Sequence, residues 1–123
     1  MKRDMDLCRK ILFAIEEKHI DTPVYDLKIE NYSIEQIAYH CKILHEANLI
    51  FDYKAIYGEN HIINFGVGAL TWAGNEYLDK IRNESVWNKI KDTLGEKGIP
   101  LAFESTARLA TNIITNIINS QTL

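Results

Sequence analysis

Apolar residues return every three or four positions near the N-terminus, at Leu7, Ile11, Leu12 and Ile15, and this spacing predicts an amphipathic helix over residues 4–18. Asp4 offers a side-chain acceptor to the unpaired amides of its first turn. The period then breaks. Pro23 is followed by VYDLKI, a brief run of strand-favouring residues, and a short strand is expected over residues 25–29. Ser33, with Gln36 three places on, has the form of a capping box, and Ile37, Cys41 and Leu44 fall on one face of the segment that follows. A second long helix is therefore expected over residues 34–47, ended by Asn48, a residue that tolerates the left-handed turn at helix C-termini.

Two β-prone runs, residues 49–57 and 61–67, flank Gly58-Glu59-Asn60 and predict a hairpin. Helical spacing then returns three times. Thr71 caps a helix running through Arg82, with Tyr77, Leu78 and Ile81 inward, and Val86, Trp87, Ile90 and Leu94 mark another that ends at Leu94. Gly95, Gly98 and Pro100 separate these from a last helix over residues 102–119, whose stripe is Phe103, Ala107, Ala110, Ile114 and Ile117. Trp72 and Trp87 are expected to hold the C-terminal helices on the core.

Length and composition narrow the classes. A chain of 123 residues with 46% hydrophobic and 25% charged residues has the make-up of an ordinary globular domain. Two cysteines are too few for a disulfide scaffold, and the charged opening MKRDMDLCRK lacks the apolar region of a signal peptide, so a cytoplasmic protein is expected. LATNIITNII, the most apolar stretch, is too short and too often interrupted to span a bilayer, and no membrane partner is expected. The net charge of -3 argues against a generally basic nucleic-acid binder and leaves local clustering as the route to such a role.

The order helix, short strand, helix ending at an Asn turn, hairpin, helix matches the plan of a winged helix. HCKILHEANLI resembles the end of the recognition helix in many bacterial winged-helix regulators, and LTWAG resembles the entry to the helix after the wing. Across nearly the whole chain, MKRDMDLCRKIL, YSIEQIAYHCKILHEANLI, LTWAGNEYLDKIRN and VWNKIKD are similar to a family of uncharacterised bacterial and prophage-encoded proteins, a domain of unknown function whose members begin MKRDMDL. The resemblance implies a winged-helix-like fold and a phage or mobile-element setting, and brings no catalytic residues. The expected fold is therefore α+β: a winged-helix-like core over residues 1–82, with a C-terminal helical extension over residues 83–123 packed on it as one compact domain. One departure stands out: only residues 19–32 separate the first two helices, where a winged helix has a further bracing helix.

With Ile37, Cys41 and Leu44 inward, Gln36, Tyr39, His40 and Ile43 turn outward together with Lys42. Gln and His hydrogen-bond base edges, Ile meets a thymine methyl, and Lys42 and the wing residue Lys54 meet phosphate, which makes double-stranded DNA a candidate partner. The alternative is a solvated or protein-covered face, since residues 33–47 and the hairpin each sum to -1. Tyr53, Tyr57 and Phe65 offer rings for base stacking, or simply cross-strand packing. Leu109, Ile113 and Ile117 widen the apolar side of the last helix and point either to a two-fold homodimer or to a helix wholly absorbed by its own domain against Trp72, Trp87 and Leu94. The sequence has no C-x-x-C or H-x-x-x-H spacing, P-loop, G-x-S-x-G or G-x-G-x-x-G, so neither metal nor cofactor is expected and a non-enzymatic role follows.

Overall fold

A computed structural model of the chain describes residues 1–121. The elements are α1 (Met5–Lys18), β1 (Val24–Tyr25), α2 (Ile34–Glu46), β2 (Tyr53–Gly58), β3 (His61–Val67), α3 (Trp72–Ile81), α4 (Glu84–Glu96) and α5 (Phe103–Gln121). The class is α+β, with an antiparallel sheet in the order β1-β3-β2. The chain divides into two compact units, one running from Met1 to Asn75 and the other beginning at Glu76, so that the division falls within α3.

In the first unit α1 packs on α2, and α2 packs on β2 and β3. Leu7, Ile11, Leu12 and Ile15 of α1 and Ile37, Cys41 and Leu44 of α2 are fully or almost fully buried, so each helix turns the stripe its sequence spacing predicts toward the core. Both starts are capped as expected. Asp4 Oδ1 accepts from the Leu7 amide at 3.1 Å, and the Ser33/Gln36 capping box is complete. At the end of α2, Asn48 takes φ 61°, its amide donates to His45 O, and the Leu49 amide donates to Leu44 O. This is a Schellman closure with Asn in place of Gly, and Leu44 and Leu49 on either side of it are both buried.

The strand expected over residues 25–29 shrinks to Val24–Tyr25. Asp26 is the reason. At φ 48° it leaves the extended region: its amide still donates to Phe65 O at 2.9 Å, but its Oδ1 in place of its carbonyl accepts the Phe65 amide at 3.1 Å, and the ladder stops there. No helix forms between α1 and α2, and residues 26–33 run as turns and extended chain. The hairpin forms, with a bulge between Ile56 and Tyr57 that gives β3 one extra residue, Ile63. This explains an odd burial spacing on β3: Ile62 and Phe65 both face inward although three positions apart.

Thr71 caps α3 as expected, its Oγ1 accepting the Gly74 amide at 2.9 Å. Trp72, by contrast, is 80% exposed and holds nothing down. Because Thr71 is turned inward to cap the helix, the next residue is rotated about 100° away from it. Gly74 lies so close to the Leu49 carbonyl that any side chain there would overlap it.

In the second unit α4 packs on α5. Asn83 caps α4 through the Val86 amide at 3.0 Å, and Gly98 at φ 66° closes it, with the Ile99 amide donating to Leu94 O. Along α5 the buried line is Thr106, Ala110 and Ile113, rotated from the stripe predicted through Ala107, Ile114 and Ile117. A polar residue can lead that line because its hydroxyl is satisfied: Thr106 Oγ1 donates to Ala102 O at 2.6 Å and shares a 2.7 Å hydrogen bond with the Tyr77 hydroxyl. The Tyr77 ring meets Phe103 edge-on at 5.5 Å.

Candidate functional site

The exposed side of α2 lies between two flanks, each fixed by specific contacts. On one flank stands His40, which the helical wheel turned outward and which is in fact 2% exposed. Its Nε2 accepts the Asp4 amide at 2.8 Å, while Nδ1 pairs with Gln36 O at 2.7 Å, an arrangement that assigns the proton to Nδ1. The imidazole therefore ties the start of the chain to the middle of α2 and is no longer a surface residue. The same corner holds Tyr32, whose hydroxyl donates to Asp4 Oδ2 at 3.3 Å, with Lys10 Nζ over its ring at 5.5 Å. Burial and the Asp4 charge push the Tyr32 phenol up. Arg9 is instead buried, with its guanidinium over Phe13.

The other flank is the hairpin. Between it and α2 opens a hollow of about 240 Å³, lined by Glu35, Tyr39, Lys42, Tyr53, Tyr57 and His61 among others. Alternation along β2 turns Tyr53, Ala55 and Tyr57 to the α2 side. Lys54 consequently faces the opposite side of the sheet, where its partner Gly66 lies under the Tyr25 ring, so the structure does not bring Lys54 together with Lys42. Desolvation, followed by the hydrogen bond that its hydroxyl donates to Tyr57, raises the Tyr53 phenol well above its ordinary value.

Of the sequence-selected residues, Tyr39 and Lys42 line this hollow, and Ile43 is half-buried on the neighbouring side. Gln36 is exposed, but its Oε1 accepts the Ser33 amide at 2.9 Å and is taken up by the cap. Phe65 is buried and packs with Tyr53, their centroids 6.5 Å apart, so for this ring the cross-strand reading is correct. His61 and Glu35 went unnoticed as site residues. The signal for His61 was its place at the first position after the turn, beside the face carrying Tyr57.

Neither thiol has nucleophilic character. Burial pushes Cys8 and Cys41 up to about 12, which keeps both protonated. In the second unit a groove of about 520 Å³ runs between α4 and α5, lined by Val86, Lys89, Leu109, Asn112, Ile113 and Ile117 among others. It brings together the three residues selected for a dimer contact, although Ile113 is only 8% exposed and belongs mainly to the core, whereas Ile117 is 45% exposed. Among the described residues no helix is long and apolar enough to cross a membrane.

The family model described as "Hypothetical protein (DUF2513)" matches residues 2–100, which take in α1 through α4. An uncharacterized protein of Haemophilus influenzae is 34% identical over 121 residues, covering 96% of this chain and 99% of that protein. No solved structure matches the chain. The family match over most of the length, together with a relative similar from end to end, means that the chain belongs to the DUF2513 family of hypothetical proteins.

Proposed function

We propose that the Met1–Asn75 unit is a winged-helix-like nucleic-acid-binding module, cytoplasmic and non-enzymatic, that works in a phage or mobile-element setting. In this reading α2 is the recognition helix and the β2–β3 hairpin is the wing. The observation that carries it is the His40 to Asp4 bond. By holding the start of α1 against α2, it sets the Lys2-Arg3 segment on one side of the ridge formed by Tyr39, Lys42 and the half-buried Ile43, with the hairpin on the other. A ridge between a basic arm and a wing suits the shape of a groove in double-stranded DNA. The missing bracing helix is offset by this tie, which fixes α2 from the α1 side.

The acidic total limits what electrostatics supply. About three cations (Lys2, Arg3 and Lys42) would meet phosphate, so affinity should be modest and fall with salt at a log–log slope of about -3. Anisotropy titrations of a mixed duplex pool across a salt series test this. Lys42→Glu should weaken binding and flatten the slope by about 1. Absence of binding at about 50 mM salt and 100 µM protein would remove the reading.

A second reading, a protein-interaction or homodimer module, draws on the α4–α5 groove. Residues 109–121 carry no charge, and the named lining of the groove has Lys89 as its one ionic residue, so a second copy of α5 suits it by polarity. Ile117→Asp leaves the buried Ile113 in place and should abolish a dimer in sedimentation. A monomeric parent at high micromolar concentration would end that proposal.

A further inference from the structure

The hollow between α2 and the hairpin contains groups that contact with a duplex backbone does not require. Three tyrosine rings converge there, from two elements, around a floor that includes Ala38 and Ile62. At about 240 Å³ it is smaller than the roughly 300–1,000 Å³ pockets that bury drug-sized ligands, and it suits a single planar ring system.

The rings are held before anything binds. Tyr39 stands edge-on to His40, centroids 5.4 Å apart at 81°, and His40 is itself fixed through both nitrogens. Tyr53 is braced by Phe65 and hydrogen-bonded to Tyr57. The bulge at Ile56/Tyr57 matters here, because the extra residue on β3 keeps Ile62 facing the same way as Tyr57. Rings fixed in advance lose little freedom on stacking, which leaves more of the contact energy for binding. Around the rim, Lys42 offers a donor to an anion, while Glu35 and Asn60 offer acceptors to an amine.

We propose that this hollow takes one unpaired nucleobase of a nucleic-acid strand, stacked among Tyr39, Tyr53 and Tyr57, with Lys42 meeting the adjoining phosphate and Glu35 accepting from the base's exocyclic amine. The inference rests on the nucleic-acid reading of α2 and specifies the form of strand that is bound. Stacking suits this chain in particular, since its few exposed cations near α2 give little duplex affinity, whereas ring contact works regardless of net charge. A Glu at the rim selects bases that carry an amine, so adenine, cytosine and guanine are accepted in preference to thymine. A free nucleotide shares this chemistry and is distinguished by the test.

The test compares anisotropy of a perfect duplex with that of the same duplex carrying one unpaired adenine, at equal salt. The interrupted duplex should bind about tenfold tighter, and replacing the unpaired adenine with thymine should remove most of that advantage. Tyr57 is 65% exposed, so Tyr57→Leu should stay folded by circular dichroism; it should abolish the preference for the interrupted duplex, and Tyr57→Phe should keep the preference. A fluorescent adenine analogue at the unpaired position gives a readout that needs no variant, since stacking should quench it on binding. Equal affinity for both duplexes, or unchanged emission from the bound analogue, overturns the base site and leaves the duplex reading of α2 intact. Failure to bind either duplex overturns both. Displacement of the strand by micromolar deoxyadenosine monophosphate would replace the strand with a free nucleotide as the ligand; no displacement is expected even at millimolar concentration.

Discussion

α2 and α5 are both amphipathic helices with apolar side chains to spare, yet they are held very differently. α2 is closed by a capping box at its start and a Schellman turn at its end, and its His40 is bonded to the first turn of α1. α5 is tied at its start, where Ser105 Oγ accepts the Ala102 amide and Thr106 Oγ1 donates to Ala102 O, but residues 115–120 toward its other end are all exposed. A surface built on α2 exists before a partner arrives, whereas the distal part of α5 gains burial only from whatever covers it. Preorganised contacts bind with less ordering cost, which is why the proposed nucleic-acid site is put on α2 and the proposed self-association surface on α5.

The strongest way to break the contrast is through the support of the first unit. Gly74→Ala would drive a methyl into the Leu49 carbonyl and should cost about 3 kcal/mol in urea unfolding, the upper end for overpacking. His40→Ala should cost about 2 kcal/mol, because it leaves the Asp4 amide without its acceptor and opens a small cavity. Hydrogen exchange at residues 1–4 should speed up at the same time, separating loss of the tie from general destabilisation.

Alkaline pH sharpens the comparison without a mutation. Both thiols sit in the α1–α2 core with pKa values raised to about 12 from 9.0. A raised pKa means the folded state retains protons that the unfolded chain has released. Stability is therefore full below about pH 9 and falls as pH rises toward 12, on the order of 1 kcal/mol per thiol per unit. Tyr32 and Tyr53 shift in the same direction. Amide exchange should show the first unit opening ahead of α4 and α5, and a Cys8→Ala/Cys41→Ala variant should flatten the pH slope. Ser33→Ala should cost about 1 kcal/mol through loss of the cap. Ile117→Asp should change monomer stability by less than about 0.5 kcal/mol, since the residue is exposed.

What was legible in the sequence was the periodic part. Leu7 to Ile15 and Ile37 to Leu44 gave both long helices and their buried faces, and Ser33, Gln36 and Asn48 marked the ends because capping is a local interaction. Long-range partners stayed hidden. His40 sits at the border of the apolar face, and only the return of Asp4, 36 positions away, decides that it is buried. Asp26 looks like an ordinary strand interruption until Phe65 supplies the amide it accepts. Trp72 was expected inside because indoles usually are, but Thr71 had already claimed the inward position. Half of the hollow was visible as a helix face. The other half depended on a bulge, which leaves no periodic trace.

That bulge bears on how the hairpin can change length. Ile62 and Ile63 are identical neighbours, so losing either gives the same chain, and the pairs Ala55↔Phe65 below and Gly58↔His61 above already sit in registers that differ by one. Removing one isoleucine would merge those registers into a regular ladder and return the inward side chains to strict alternation. Loss of a single residue almost anywhere else in the strand would turn a whole segment inside out. For a gene carrying this hairpin, the paired isoleucine codons are thus a place where an in-frame deletion is absorbed, and hairpins one residue shorter at this point should be found still folded.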